Sequence, residues 1–154
     1  MRVMSWIQNH PHVLEVAYSR AQAALQPFRR WLRRGGAIER LFIAGEIATK
    51  GPIFDCRMCG QCILHSTGMT CPMTCPKTMR NGPCGGVRLD GNCEVRPEMP
   101  CVWVQAWERS KRMPAFGDEI LLLQPPVDRR LEGTSAWINE ATGEGARTPP
   151  GWGP

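Results

Sequence analysis

Residues 56–101 read CRMCGQCILHSTGMTCPMTCPKTMRNGPCGGVRLDGNCEVRPEMPC and contain all eight cysteines of the 154-residue chain. The first three cysteines, Cys56, Cys59 and Cys62, are separated by two residues each. Clustered thiols in a chain of this size serve as disulfides, as zinc ligands or as iron–sulfur ligands. The choice among these three uses therefore decides most of the function.

The cysteine spacing favours an iron–sulfur site over the two alternatives. Three thiolates at successive x2 spacings begin the bacterial ferredoxin pattern, and Cys71-x3-Cys75-Pro76 repeats its closing spacing. Structural zinc often uses two Cys-x2-Cys pairs separated by a longer loop, and no separate second pair follows here. A cytosolic chain keeps its thiols reduced, which argues against disulfides. Eight thiolates could hold two four-iron clusters, one cluster and one zinc ion, or two zinc ions.

The sequence predicts a small α+β fold: an irregular cysteine-rich metal- or cluster-binding domain with N-terminal helices and one short β-hairpin. Apolar spacing predicts helices over residues 12–34, with a second helix beginning at Pro27, and over residues 37–49 and 102–112. The predicted division is a helical segment (1–50), a cysteine-rich cluster-binding domain (51–113) and an extended, partly disordered tail (114–154). The tail is Gly/Pro-rich at its end and has little reason to fold alone.

The predicted hairpin lies in the string VRLDGNCEV, residues 87–95. Val87, Leu89, Cys93 and Val95 alternate around Asp90-Gly91, and Asp-Gly is a strong signal for a two-residue hairpin turn. The backbone elsewhere in the cysteine region is predicted to be irregular, because prolines flank several of the cysteines.

The helix predicted over residues 37–49 is amphipathic. Its apolar members, which can share much of one face, are Ile38, Leu41, Phe42 and Ile47, whereas Glu39, Arg40 and Glu46 lie elsewhere. Lys50-Gly51-Pro52 is predicted to end it, since glycine and proline terminate helices.

Four arginines, Arg29, Arg30, Arg33 and Arg34, precede Gly35-Gly36. They are predicted either to complement the carboxyl end of a helix or to dock on an acidic partner surface or a phosphate. Trp103 and Trp107 have two interpretations as well, as core residues or as contact residues. His65 is interpreted as a loop or supporting histidine, with a substitute ligand or proton carrier as the alternative.

Composition and missing motifs exclude several functions. The net charge of +5 is a mild excess and does not indicate a nucleic-acid binder. No signal peptide and no membrane span stand out, so we expect a cytoplasmic protein. The sequence has no G-x-G-x-x-G fingerprint, no repeated strand–helix pattern and no Ser/His/Asp set. No catalytic residue is predicted, and the chain is not expected to be an enzyme on its own.

Several strings in one order, CPMTCPK (71–77), NGPCGG (81–86), GNCEV (91–95) and PCVW (100–103), carry a family resemblance. Over about residues 37–112 the chain resembles the methylenetetrahydrofolate reductase C-terminal domain family, which includes MetV, the iron–sulfur subunit of the two-subunit reductase of acetogens. The resemblance implies one or two [4Fe-4S] clusters, with zinc as the alternative for some or all ligands. The implied ligands are Cys56, Cys59, Cys62, Cys71, Cys75, Cys84, Cys93 and Cys101.

The resemblance also implies a partner, a flavin-containing TIM-barrel subunit that is encoded separately or fused. The chain is then interpreted as an electron-transfer or accessory subunit of a methylenetetrahydrofolate reductase-like oxidoreductase in one-carbon metabolism. The alternative is a zinc-stabilised structural or interaction module without redox activity.

Overall fold

The computed structural model describes residues 9–152, so the first eight residues of the predicted helical segment and the last two of the tail lie outside it. Four α-helices are present in this range: α1 (Pro11–Leu25), α2 (Ala37–Phe54), α3 (Val102–Ser110) and α4 (Ala136–Ala141). Short 3-10 turns lie between these helices, at Gln26–Phe28, His65–Thr67, Pro72–Thr74, Gly117–Leu121 and Arg129–Leu131, and one more follows α4, at Glu144–Ala146. No helix between residues 9 and 152 has the length and apolar character that a membrane crossing requires.

The chain divides into two compact units, each built from two segments. The described part of the first unit comprises residues 9–16 and 63–123, and that of the second comprises residues 17–62 and 124–152. The predicted division of the chain into three segments, with boundaries after residues 50 and 113, is based on sequence composition and stays a prediction. Residues 114–152, predicted as the tail, contain α4, and Ile138 within it is fully buried.

The first unit is organised around α3. Trp103 and Ala106 form a buried cluster with Cys101, and Cys84 and Ile120 pack against it. Near the start of this unit, the buried carboxylate of Glu15 accepts hydrogen bonds from the backbone N–H groups of Ala115, at 2.8 Å, and Phe116, at 2.7 Å. These bonds fix the segment after α3 by satisfying two of its backbone donors.

The prediction of an α+β fold with a β-hairpin is wrong. Among the described residues, the β-type pairings are two isolated bridges, Val87 with Cys93 and Asn92 with Pro100. A turn forms one residue earlier than predicted: the Gly91 N–H donates to the Arg88 carbonyl at 2.9 Å, and Gly91 adopts φ +80°. The ladder does not extend, because the Gly86 N–H, which would pair with Glu94, donates to the Cys84 sulfur at 3.4 Å. Leu89 is fully exposed, so longer strand pairing would not be stabilised by packing of this side chain against a core.

The arginine segment also differs from its prediction. Helix α1 ends at Leu25, and only the 3-10 turn Gln26–Phe28 follows, in place of a second helix from Pro27. The last turn of α1 contains no basic residue. The arginines of residues 29–34 therefore do not complement a helix end, and all four are exposed.

Helix α2 is longer than predicted. It continues through Gly51 and Pro52 to Phe54, since proline removes only its own N–H, and the Asp55 N–H still reaches the Gly51 carbonyl at 2.9 Å. Its buried residues are Glu39, Glu46 and Lys50, whereas three of the four residues predicted to share an apolar face, Ile38, Leu41 and Ile47, are exposed. The charged side of the helix is therefore the buried side.

Polar partners in α4 explain this orientation of α2. The Glu46 carboxylate accepts the Ser135 hydroxyl at 2.6 Å and the Trp137 N–H at 3.1 Å. Lys50 bonds Glu46 at 2.9 Å and lies 4.9 Å from the centre of the Trp137 ring. Glu46 therefore satisfies donors at the start of α4, where helix N–H groups lack partners within the helix.

Candidate metal-binding cysteines

The three cysteines of the Cys-x2-Cys-x2-Cys motif lie in a loop of the second unit, directly after α2. Asp55, Met58 and Gly60 all have positive φ, at +50°, +49° and +72°, and these reversals turn the chain tightly. At Gly60, a Cβ atom would lie 2.8 Å from the Leu131 carbonyl carbon, so only glycine fits there without a shift of the backbone.

Hydrogen bonds from the second segment of this unit hold the motif loop in place. The buried Asn139 side chain donates to the Gly60 carbonyl at 2.8 Å, and the Gly133 N–H donates to the Met58 carbonyl at 2.8 Å. Gln61, which is only 2% exposed, accepts the Asp128 N–H at 2.6 Å through its side chain. These protein contacts position the backbone of the loop.

The end of α2 brings a positive charge to the motif. Burial lowers the pKa of Lys50, but the charges of Cys62 and Glu46 outweigh burial and leave this pKa raised. Burial raises the pKa of Cys56, against the opposing effects of the Met58 N–H, which lies 3.4 Å from its sulfur, and of Lys50. Metal binding at Cys56 would therefore displace a proton, as thiolate ligation generally does.

The other five cysteines belong to the first unit. Cys71 and Cys75 flank the 3-10 turn Pro72–Thr74, and Cys101 is the N-cap residue of α3. Cys93 lies in the isolated bridge to Val87, and Cys84 packs against the Trp103 cluster.

Two donor groups lie close to the Cys84 sulfur. Its sulfur accepts the Gly86 N–H at 3.4 Å and lies 3.7 Å from the Lys77 ammonium. Lys77 also pairs with Glu94, which raises the pKa of this lysine and keeps it charged. Amide and ammonium donors of this kind stabilise negative sulfur.

The test of these residues as metal ligands gives a divided result. None of the eight cysteines, all of which lie in the described range, forms a disulfide, so the donor chemistry suits zinc or an iron–sulfur cluster. Within residues 9–152, however, no group of three or more cysteine, histidine or carboxylate side chains is placed to hold a metal ion. The sulfur donors are therefore of the right chemical type, but among the described residues they are not grouped closely enough to form a complete set of metal ligands.

His65 lies in a 3-10 turn of the first unit rather than in a cysteine group. Its Nε2 atom is 3.4 Å from a Glu119 oxygen, and its ring packs edge-on against Phe116 with centroids 5.7 Å apart. The Ser66 hydroxyl donates to the same Glu119 carboxylate at 2.8 Å. These contacts agree with the interpretation of His65 as a loop histidine.

The cysteine strings and the helices around them fall in one matched region. A family model described as "Methylene-tetrahydrofolate reductase C terminal" matches residues 36–130. The chain belongs to this family. The predicted resemblance is thereby confirmed, and the match extends beyond residue 112. No curated protein and no solved structure matched the chain.

The region matched by the methylene-tetrahydrofolate reductase C-terminal family contains α2, α3 and all eight cysteines. It also contains Glu46, Lys50 and Gln61, whose buried positions sequence reasoning missed. Helical periodicity could not identify them, because the partners of Glu46 and Gln61 lie after residue 123, far away in sequence.

Proposed function

We propose that the chain is the iron–sulfur electron-transfer or accessory subunit of a methylenetetrahydrofolate reductase-like flavoprotein complex in one-carbon metabolism. The observation that carries the proposal is membership of the reductase C-terminal family together with eight cysteines inside the matched region, none of which forms a disulfide. The Cys56-x2-Cys59-x2-Cys62 spacing is typical of cluster ligands and supports iron–sulfur over zinc.

The folate chemistry is assigned to the partner. Hydride transfer requires a flavin or nicotinamide site, and the sequence has no dinucleotide fingerprint. A cavity lined by Trp107, Ser110 and Asp118 measures about 150 Å³, below the roughly 300–1,000 Å³ of typical cofactor sites. When bound, a cluster supplies one-electron chemistry, and the chain supplies thiolates and the N–H groups of Met58 and Gly86 that donate to sulfur.

We further propose that the complex works in a reducing compartment, the cytoplasm. Cysteines stay out of disulfides where glutathione and thioredoxin keep them reduced, and none of the eight cysteines of this chain forms a disulfide. The chain alone is expected to leave folate unchanged.

The direct test is co-expression with a methylenetetrahydrofolate reductase-like flavoprotein from the same organism, followed by anaerobic size exclusion. We expect one complex that contains flavin and iron, and bleaching of the visible iron absorbance when the complex is reduced. A monomer that binds no such flavoprotein, or one that turns over folate unaided, would contradict the proposal. A colourless complex with stoichiometric zinc would instead support the structural-module alternative.

A further inference from the structure

The outward side of α2 is almost entirely apolar. Its members Ile38, Leu41 and Ile47 are 50%, 74% and 54% exposed, and the small residues Ala44 and Ala48 lie between them. We refer to these five residues as the outer face of α2. Water-exposed leucine and isoleucine in such a continuous stretch of helix usually mark a contact surface.

The orientation of this face is fixed rather than loose. Glu39, Glu46 and Lys50 are buried on the opposite side. The Gly35 N–H donates to Glu39 at 2.5 Å, in addition to the bonds that Glu46 and Lys50 make. Rotating the helix to bury Leu41 would break these polar contacts and leave their donors without acceptors. The free-energy cost of losing them exceeds the gain from burying one leucine side chain. The outer face therefore stays available to a partner.

The charges beside the outer face indicate what kind of partner fits. Arg33 precedes α2, and Arg40 is adjacent to Leu41 within it. Both are exposed, and in the described part of the chain neither has a carboxylate at ion-pair distance, nor do Arg29 and Arg30. A complementary surface is apolar with acidic side chains at the end that meets Arg40.

Two other occupants fit less well. A membrane-surface helix has a solvated charged face opposite its apolar one, whereas the charged side of α2 is buried against its own unit. A second copy of this chain would bring more arginines and no exposed acid on the outer face itself. The alanines keep the face shallow and allow a helix of another protein to approach closely, because side-chain size sets interhelical distance.

We propose that the outer face of α2, with Arg33 and Arg40 at its end, is the docking surface for the flavoprotein subunit, which presents an apolar helix bordered by acidic residues. This inference rests on the proposed function and specifies the surface through which the complex forms. Docking there would place the partner on the helix that leads directly into the Cys56–Cys62 motif.

The test compares two single variants with the wild-type chain, each loaded with metal and titrated against a purified methylenetetrahydrofolate reductase-like flavoprotein from the same organism. Leu41→Glu buries a charge in the proposed contact and should weaken the dissociation constant by at least about tenfold, the loss expected for one buried leucine. The matched control is Leu123→Glu, because Leu123 is 86% exposed in the first unit and lies outside the proposed surface. Its affinity should stay within about twofold of wild type. Metal content and circular dichroism confirm that each variant is folded.

A third variant, Arg40→Glu, separates charge matching from general disruption. It should lower affinity and reduce the salt dependence of binding, since it removes an attraction to the acidic border. Equal binding by wild type and Leu41→Glu overturns the surface while leaving the proposed function intact. Failure of the wild-type chain to bind any flavoprotein overturns both. Self-association or vesicle binding that Leu41→Glu abolishes, without an effect on flavoprotein binding, also overturns the assignment.

Discussion

Replacing Glu46 with glutamine tests the buried charge pair of the second unit. The side chains of Glu46 and Lys50 are only 2% and 9% exposed, and their charged atoms lie 2.9 Å apart. Removing one member of a buried ion pair leaves the other uncompensated and costs about 3–5 kcal/mol. Glutamine retains an oxygen that can still accept the Ser135 hydroxyl, so we expect the lower end, about 3 kcal/mol of unfolding free energy.

The assay is urea unfolding of the anaerobic protein, followed by far-ultraviolet circular dichroism. Glu98→Gln is the matched control, because Glu98 is exposed, and its effect should stay within about 0.5 kcal/mol. The double variant Glu46→Gln/Lys50→Met should recover part of the loss, since the unpaired ammonium is gone. A loss below about 1 kcal/mol for Glu46→Gln would refute the buried-pair reasoning.

Three further predictions concern other parts of the chain. Cys59→Ser should yield insoluble or expanded protein with less bound metal, because ligation organises the loops; native cooperative unfolding and full solubility would count against it. Glu15→Ala should cost about 2 kcal/mol or more in urea unfolding, because two buried N–H groups lose their acceptor; an unchanged midpoint would contradict this. The Arg130 guanidinium beside Asp128 lowers the pKa of that carboxyl from 3.8 to about 2. The resulting stabilisation is present above pH 3.8 and lost as the pH falls through about 2. The stability gap between wild type and Asp128→Asn should therefore narrow on acidification, and a gap that is constant with pH would exclude this origin.

Local patterns were sufficient for α3 and for the family. Pro100 and Pro114 bracket the predicted helix over residues 102–112, and the observed helix is Val102–Ser110. Trp103 is buried, in agreement with its interpretation as a core residue. Trp107 is 46% exposed, and the Lys111 ammonium lies 5.2 Å from the centre of its ring. The ordered cysteine strings identified the family because they combine residue type, spacing and order.

Long-range polar contacts explain where local patterns failed. The side of α2 that is buried depends on Ser135 and Trp137, about ninety residues from Glu46, so helical periodicity alone could not identify it. The hairpin failed for a related reason, since the Gly86 N–H that would extend the ladder donates to the Cys84 sulfur. In both cases side-chain acceptors competed with the pairing that the local sequence favours.

Metal analysis of the anaerobically purified chain tests the central claim most directly. The measurement combines iron, zinc and acid-labile sulfide contents with the visible absorption spectrum of the same sample. We predict brown protein that contains iron and sulfide in equal amounts, with little zinc, because [4Fe-4S] clusters hold iron and sulfide in that ratio. Colourless protein with stoichiometric zinc and no iron would contradict the account.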